Sequence, residues 1–201
     1  MSLYVLFALT VLPLIFTPGP DMLFILSQAV AKDAGAGMKA TMGVCLGYLV
    51  HSVLVALGIA AIIVSFPILF ETIKWLGIAY LLYLAFGLIK SVFNNKQIVI
   101  EKKQTASPIQ KGFFTALLNP KGMLIYFAIL PQFMTKSGDS VSQALILSCI
   151  FIGLCFVVYC SLSFVFAHIT QKSNLDARKQ KWIDGGAGVM LTLAATWLIG
   201  Q

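Results

Sequence analysis

Two ionisable residues stand where an apolar chain should not carry them. Asp21 follows Thr17-Pro18-Gly19-Pro20, and Lys121 follows Asn119-Pro120. Each interrupts a long apolar run, Leu3 to Ala31 in one case and Gly112 to Met134 in the other. An aspartate at the centre of a spanning helix costs roughly 2.5–3.5 kcal/mol on insertion scales. Proline and glycine add a second cost, because they free backbone groups that hydrocarbon cannot satisfy. Segments carrying both costs point to a binding site. An acid and a base facing one another would match the ammonium and carboxylate of a zwitterion. Asp21 could bind an ammonium, carry a coupling proton, or do both at different stages. It could also merely complement the positive end of a helix. Lys121 could receive a carboxylate or form a structural ion pair with Asp21.

The elements that must position these groups follow from the breaks. A polar residue followed by proline suits a helix start, with the polar side chain as cap and proline in the first turn. Thr17-Pro18 and Asn119-Pro120 both read this way, so each break presents a half-helix N-terminus with free N–H groups. The helix breaks are Pro18, Pro20 and Pro120. Thr17, Gly19 and Asp21 from the first break, and Asn119 and Lys121 from the second, form the candidate substrate-binding set. Paired interrupted spans in two halves of one chain mark the binding region of many transporters.

Composition sets the solvent. Of the 201 residues, 59% are hydrophobic and only 10% charged, against about 25% charged in soluble domains. Mean hydropathy is +0.93. The expected fold is an all-α integral membrane protein of one domain, residues 1–201. Its six spans fall at about 3–28, 40–65, 68–90, 111–134, 141–169 and 181–200, the first and fourth broken by TPGP and NPK. Gly35-Ala36-Gly37 reads as the turn after the first span and Phe66-Pro67 as the turn after the second. Met1 to Phe16 lacks the basic start and cleavage site of a signal peptide.

The net charge of +7 does not indicate nucleic acid, since the basic residues sit in short loops. Lys32 and Lys39 follow span one; Lys90, Lys96, Lys102, Lys103 and Lys111 surround the central loop; Lys172, Arg178, Lys179 and Lys181 follow span five. The opposite side carries only Lys74 and Lys136. The positive-inside rule then puts both termini outside. Spans one and four enter from opposite sides, which gives a 3+3 inverted repeat: about 1–93, a loop at about 94–110, and about 111–201. An echo of Lys74-Trp75-Leu76-Gly77 in Lys181-Trp182-Ile183-Asp184 agrees with it.

Together these motifs resemble the lysine exporter/homoserine-threonine resistance (LysE/RhtB) family of small bacterial inner-membrane exporters. The pattern comprises Thr17-Pro18-Gly19-Pro20-Asp21, Gly43-x3-Gly47-x3-His51, Asn119-Pro120-Lys121 and Pro131-Gln132-Phe133. Lys181-Trp182-Ile183-Asp184-Gly185 is similar to the threonine-exporter branch. The resemblance runs through nearly the whole chain. It implies a secondary transporter that exports amino acids or close derivatives, driven by the proton motive force, with no catalytic residues and no cofactor. Substrate, protons and membrane lipid are the expected partners. Glycine-rich faces suggest a homo-oligomer, with a dimer favoured.

The other polar residues have quieter alternatives. His51 is either a proton-coupling residue or a hydrogen-bonded packing residue. Gly43, Gly47 and Gly58 suit close helix packing. Gln132 and Asp184 suit membrane interfaces, and Glu71 a solvated surface. Tyr80, Tyr83, Tyr126 and Tyr159 could line a cavity or face lipid, which spacing does not decide. The four cysteines, Cys45, Cys149, Cys155 and Cys160, read as buried free thiols. No metal-ligand spacing and no GxxxxGK[ST] motif occurs, so a self-contained ATP-driven pump is excluded. The rival readings are export of another small solute or a cation, or a membrane thiol redox protein.

Overall fold

The computed structural model describes residues 2–58, 67–93, 107–135, 139–172 and isolated positions between 185 and 196. No strand occurs among them. Among the described residues these α-helices run in order: α1 (Leu3–Phe16), α2 (Pro20–Ala31), α3 (Ala34–Ala56), α4 (Pro67–Phe93), α5 (Pro108–Leu117), α6 (Pro120–Leu124) and α7 (Ser140–Lys172). After α6 the chain widens into a π-helical turn, Ile125–Ile129, then tightens into a 3-10 turn, Leu130–Phe133.

The helix ends follow local chemistry. In α1 the last N–H, of Thr17, reaches the Pro13 carbonyl at 3.0 Å. Pro18 and Gly19 continue extended, and α2 restarts at Pro20 with Gly19 as its cap residue. Asn119 caps α6 directly: its Oδ1 accepts from the Lys121 N–H at 3.0 Å, and Pro120 occupies the first turn. At the start of α5, Ser107 and Gln110 cap one another reciprocally. The axes of α1 and α2 differ by 57°, and those of α5 and the segment from Pro120 to Phe133 by 50°.

Among the described residues two unbroken helices, Ala34–Ala56 and Ser140–Thr170, are long and apolar enough to cross a bilayer, and each bent pair is a further candidate. At about 1.5 Å per residue α7 is about 50 Å long, well beyond a hydrocarbon core of about 30 Å. Met42, Leu46, Leu49 and Val53 form an outward apolar stripe on α3. The opposite face of that helix buries Val44, Tyr48, His51 and Val55. A helix apolar outside and polar at isolated inward points is one built for lipid.

Close backbone approach holds the centre together. Helix α3 packs most extensively on α5 and α7, and α2 lies against both α3 and α7. A Cβ on Gly43 would collide with the Ile109 carbonyl, and one on Gly112 with the Ala40 carbonyl. A Cβ on Gly47 would lie 2.7 Å from the Phe113 oxygen. Helix α4 contacts α5 and α6, and its Tyr80 hydroxyl donates to the Lys111 carbonyl at 3.2 Å.

Several sequence expectations need correction. Gly35-Ala36-Gly37 is the first turn of α3, not a connection. Asp33 caps that helix by accepting from the Ala36 N–H at 2.7 Å, and Gly37 is small because Ser163 and Ala29 press on it. The second span therefore begins near 34 instead of 40, and its helix ends at Ala56. Gly58 packs against none of the described residues: it lies past that end with a φ of +72°, a conformation that favours glycine, and none of them stands within 4 Å of its would-be Cβ. Thr17 is the C-cap of α1 and not an N-cap, because the second proline, Pro20, fixes the new helix start. Cys149 is exposed on the outer face of α7 and Cys160 is half-buried, whereas Cys45 and Cys155 are buried. Phe66, most of the central loop and Asp184 lie outside the described residues, and so does most of the expected sixth span.

Candidate functional site

The two breaks meet. Lys121, from the start of α6, reaches across to the first break, where its Nζ donates to the Thr17 carbonyl at 2.9 Å. That carbonyl is one of the groups freed by the break, so a side chain from one interruption satisfies the backbone of the other. The same Nζ stands 3.6 Å from Asp21 Oδ1. Gly19 leaves the crossing open: a Cβ there would come within 3.0 Å of both Asp21 Oδ1 and Lys121 Cδ.

Asp21 is completely buried in the first turn of α2. Its Oδ2 accepts two hydrogen bonds of 2.6 Å, from Tyr48 on α3 and from Tyr159 on α7. Its Oδ1 makes no hydrogen bond and has Lys121 as its ion-pair partner. The carboxylate is thus divided. One oxygen is fixed to two helices by short charge-assisted bonds. The other faces an ammonium that is itself shared with a carbonyl. The Lys121 side chain keeps 17% exposure while Asp21 has none, so the base is the partner nearer to solvent.

A cluster of rings closes around this pair. The Tyr48 ring centroid lies 5.1 Å from Phe151 and 6.0 Å from Tyr126, and Tyr126 lies 5.5 Å from Phe151. Gly122 lets Tyr48 in, since a Cβ there would stand 2.6 Å from its ring. His51, one turn beyond Tyr48, is buried; its Nε2 is 3.3 Å from the Ala116 carbonyl. It stacks obliquely near Tyr126, at 5.6 Å, and does not contact Asp21 through any hydrogen bond.

Of the residues selected from sequence, Thr17, Gly19, Asp21, Asn119 and Lys121 come together. His51 lies beside the cluster, one ring removed. Gln132 is exposed, donates to Ala128 and takes no part. Tyr83 faces outward, and Tyr80 anchors α4. Tyr48 and Tyr159 are the residues that sequence reasoning did not assign to the site. Their available signal was helical spacing: Tyr48 lies four residues from Val44 and three from His51 on one face of α3. A separate groove of about 550 Å³, lined by Ile68, Glu71, Thr72, Trp75 and Leu76, lies on α4 and includes none of these residues. No group of three or more His, Cys, Asp or Glu suited to a metal occurs among the described residues.

Helices this apolar, two unbroken and two pairs bent among the described residues, mark a multi-pass membrane protein. The chain belongs to the LysE type translocator family, whose model matches residues 12–201. It is 28% identical over 191 residues to the membrane protein YrhP of Bacillus subtilis, covering 89% of each chain. A membrane protein of Pseudomonas aeruginosa is 32% identical over 134 residues, 64% of this chain and 62% of its own length. A leucine efflux protein of Enterobacter is 27% identical over 180 residues, 88% of this chain and 85% of its own. No solved structure matches the chain.

Proposed function

We propose that the protein is a secondary transporter that exports amino acids or close derivatives across the bacterial inner membrane, driven by the proton motive force. The observation that carries this reading is the buried Asp21–Lys121 pair, held at 3.6 Å across two helix breaks. A zwitterion can replace that pair with itself. Its ammonium takes Lys121's place at Asp21 Oδ1, and its carboxylate takes the freed Lys121 Nζ and the N–H groups at the half-helix starts. Tyr48 and Tyr159 hold Oδ2 and keep the acceptor aimed during the exchange. Protonation of Asp21 removes its hold on an ammonium, so proton binding and substrate binding compete at one carboxylate. Because Asp21 is wholly enclosed, the described state is closed, and α2 or α6 must separate from α3 and α7 for passage.

The accompanying architecture is a single domain of six spans in a 3+3 inverted repeat, with both termini outside and assembly as a homodimer. The basic loops and the two bends, one in each half, support it. Relatives that carry the name leucine efflux protein make leucine a first substrate to test, alongside threonine and lysine.

The test is transport by purified protein in liposomes, with a panel of labelled amino acids and an imposed proton gradient. Export that rises with the gradient and disappears in Asp21→Asn is expected. A folded protein that moves no amino acid under any gradient would direct attention to another small solute or a cation. Labelling of each terminus from either side of the membrane tests the orientation, and mass measurement in lipid nanodiscs tests the dimer.

A further inference from the structure

The group that fills the space between the two breaks is itself a clue to what else fits there. Lys121 Nζ is a primary alkylammonium, with three donors and no acceptor. It reaches the first break from a different helix, so it sits there as a tethered ligand. Its seat offers two acceptors, the Thr17 carbonyl at 2.9 Å and Asp21 Oδ1 at 3.6 Å. The carbonyl is freed by the first break, and Oδ1 is buried without a hydrogen bond of its own. The side-chain donors that border the seat are engaged elsewhere. The Thr17 hydroxyl donates to the Pro13 carbonyl at 3.0 Å, and the Tyr48 and Tyr159 hydroxyls both donate to Oδ2. Pro18 and Pro20, on either side of Gly19, have no N–H. A place that presents acceptors and turns its side-chain donors away suits a group that only donates.

Space sets a second condition. A Cβ on Gly19 would lie 3.1 Å from Lys121 Nζ and 3.0 Å from Asp21 Oδ1. Gly19 is extended, with a φ of −147°, which any residue adopts, so it is room and not backbone conformation that requires glycine. An ammonium carrying three methyl groups would need that room and would bring no N–H to the Thr17 carbonyl. The Lys121 side chain keeps 17% exposure, so the seat is reached along the line of the lysine stem.

We infer that the Thr17 carbonyl, Asp21 Oδ1 and the gap at Gly19 form a seat for one unsubstituted alkylammonium, with Lys121 as its resident occupant, and that primary alkylamines lacking a carboxylate are a second class of ligand for it. This rests on the amino-acid export reading above for its role, since the same seat receives the ammonium of a transported amino acid. The seat itself asks nothing of a carboxylate. Being tethered, Lys121 competes at a high effective concentration, and an amine that displaces it leaves a lysine without its acid. The parent therefore binds amines weakly, and a chain without the lysine binds them well.

Lys121→Ala removes Cγ, Cδ, Cε and Nζ, which are together the heavy atoms of n-propylamine. The experiment unfolds the parent, Lys121→Ala and the double variant Asp21→Asn/Lys121→Ala by heat in lipid nanodiscs. It is run at neutral pH, where an alkylamine is protonated, with n-propylamine, propyltrimethylammonium or n-propanol added. Propylamine is expected to return about half or more of the unfolding temperature that Lys121→Ala loses, with a shift that grows with concentration as for any ligand of the folded state. The parent is expected to need about tenfold more amine for an equal shift. The quaternary ion and the alcohol should return nothing, and the double variant should not respond. An equal effect of propylamine and either control, or a rescue that survives Asp21→Asn, overturns the seat. If Lys121→Ala is lost on extraction, its recovery from membranes extracted with each additive decides: recovery with propylamine alone supports the seat, and any other pattern overturns it. Amino-acid flux through the parent in liposomes is scored separately. Flux without amine rescue overturns the seat and leaves export standing, whereas amine rescue without flux overturns the export reading and leaves an amine site.

Discussion

Replacing Lys121 with Met removes the ion-pair partner that a carboxylate without solvent contact has among the described residues. Two tyrosine hydroxyls, both on Oδ2, still hold Asp21. Oδ1 is left with no hydrogen bond and no counter-ion among the described residues. Breaking a buried pair from one side costs about 3–5 kcal/mol, because an uncompensated charge stays behind. The Thr17 carbonyl loses its donor as well, which places the expectation in the upper part of that range. For a chain of this size about 1 kcal/mol corresponds to roughly 2–4 °C in Tm, so Lys121→Met should unfold about 10 °C below the parent. Adding Asp21→Asn removes the stranded charge, while its carbonyl oxygen still accepts from Tyr48 and Tyr159. The double variant should therefore be more stable than Lys121→Met alone, with a coupling of about 2 kcal/mol. Thermal unfolding of the four proteins in one lipid nanodisc preparation provides the cycle. A Lys121→Met variant within about 2 °C of the parent, or a double variant less stable than both singles, refutes the claim that the two residues compensate each other.

Asp21→Asn alone should insert and fold normally but lose export; liposome efflux at the parental rate with unchanged pH dependence would make Asp21 a helix-dipole partner only. Tyr48→Phe and Tyr159→Phe each delete one charge-assisted bond and should cost about 1.5–3 kcal/mol in unfolding experiments, with no cost expected at outward-facing Tyr83→Phe. Gly43→Ala places a methyl against the Ile109 carbonyl, which belongs to a helix and cannot yield as a side chain would; destabilisation of about 1–3 kcal/mol is expected, and a neutral result would mean that α3 and α5 stand further apart. At the exposed start of α7, Asp139 accepts from Ser142 Oγ, at 2.5 Å, and from the N–H groups of Ser142 and Val141. These bonds hold its carboxyl below the usual range, the Ser142 hydroxyl most of all. A lowered folded pKa means stability that is present above about pH 4, the unfolded value, and lost as pH falls through the folded one. The difference between parent and Asp139→Asn in unfolding should accordingly hold near neutral pH and vanish in acid; a difference independent of pH would remove the role of the charge.

The break at Asn119 was legible in the sequence because an Asn-Pro pair leaves one economical geometry: cap and first turn. Thr17-Pro18 has the same form but is followed by a second proline two residues on. Two prolines compete for the helix start, and only the packing of α2 against α3 and α7 decides between them. Gly35-Ala36-Gly37 misled for a related reason. In an apolar chain glycine marks close approach as often as a turn, and here Asp33 had already supplied the cap. The acid and base could be paired on paper because both are rare in such surroundings. Their tyrosine partners could not. Tyr159 and Tyr83 look alike in sequence, each in an apolar run, yet one is 1% exposed and the other 68%. Hydropathy does not report which side of a membrane helix faces protein, and Tyr48 shows itself only once α2 is laid against α3.

The π turn at Ile125–Ile129 holds one residue more than an α-helix would over the same rise. At 3.6 residues per turn, one residue is about 100° of rotation. Loss of a single residue within that turn would restore ordinary α-helix and swing the flanking side chains by that angle, carrying Tyr126 away from Tyr48 or Lys121 away from Thr17. The length of this short stretch is therefore a phase setting. A substitution there alters one contact, whereas a one-residue deletion re-aims one half of the break relative to the other.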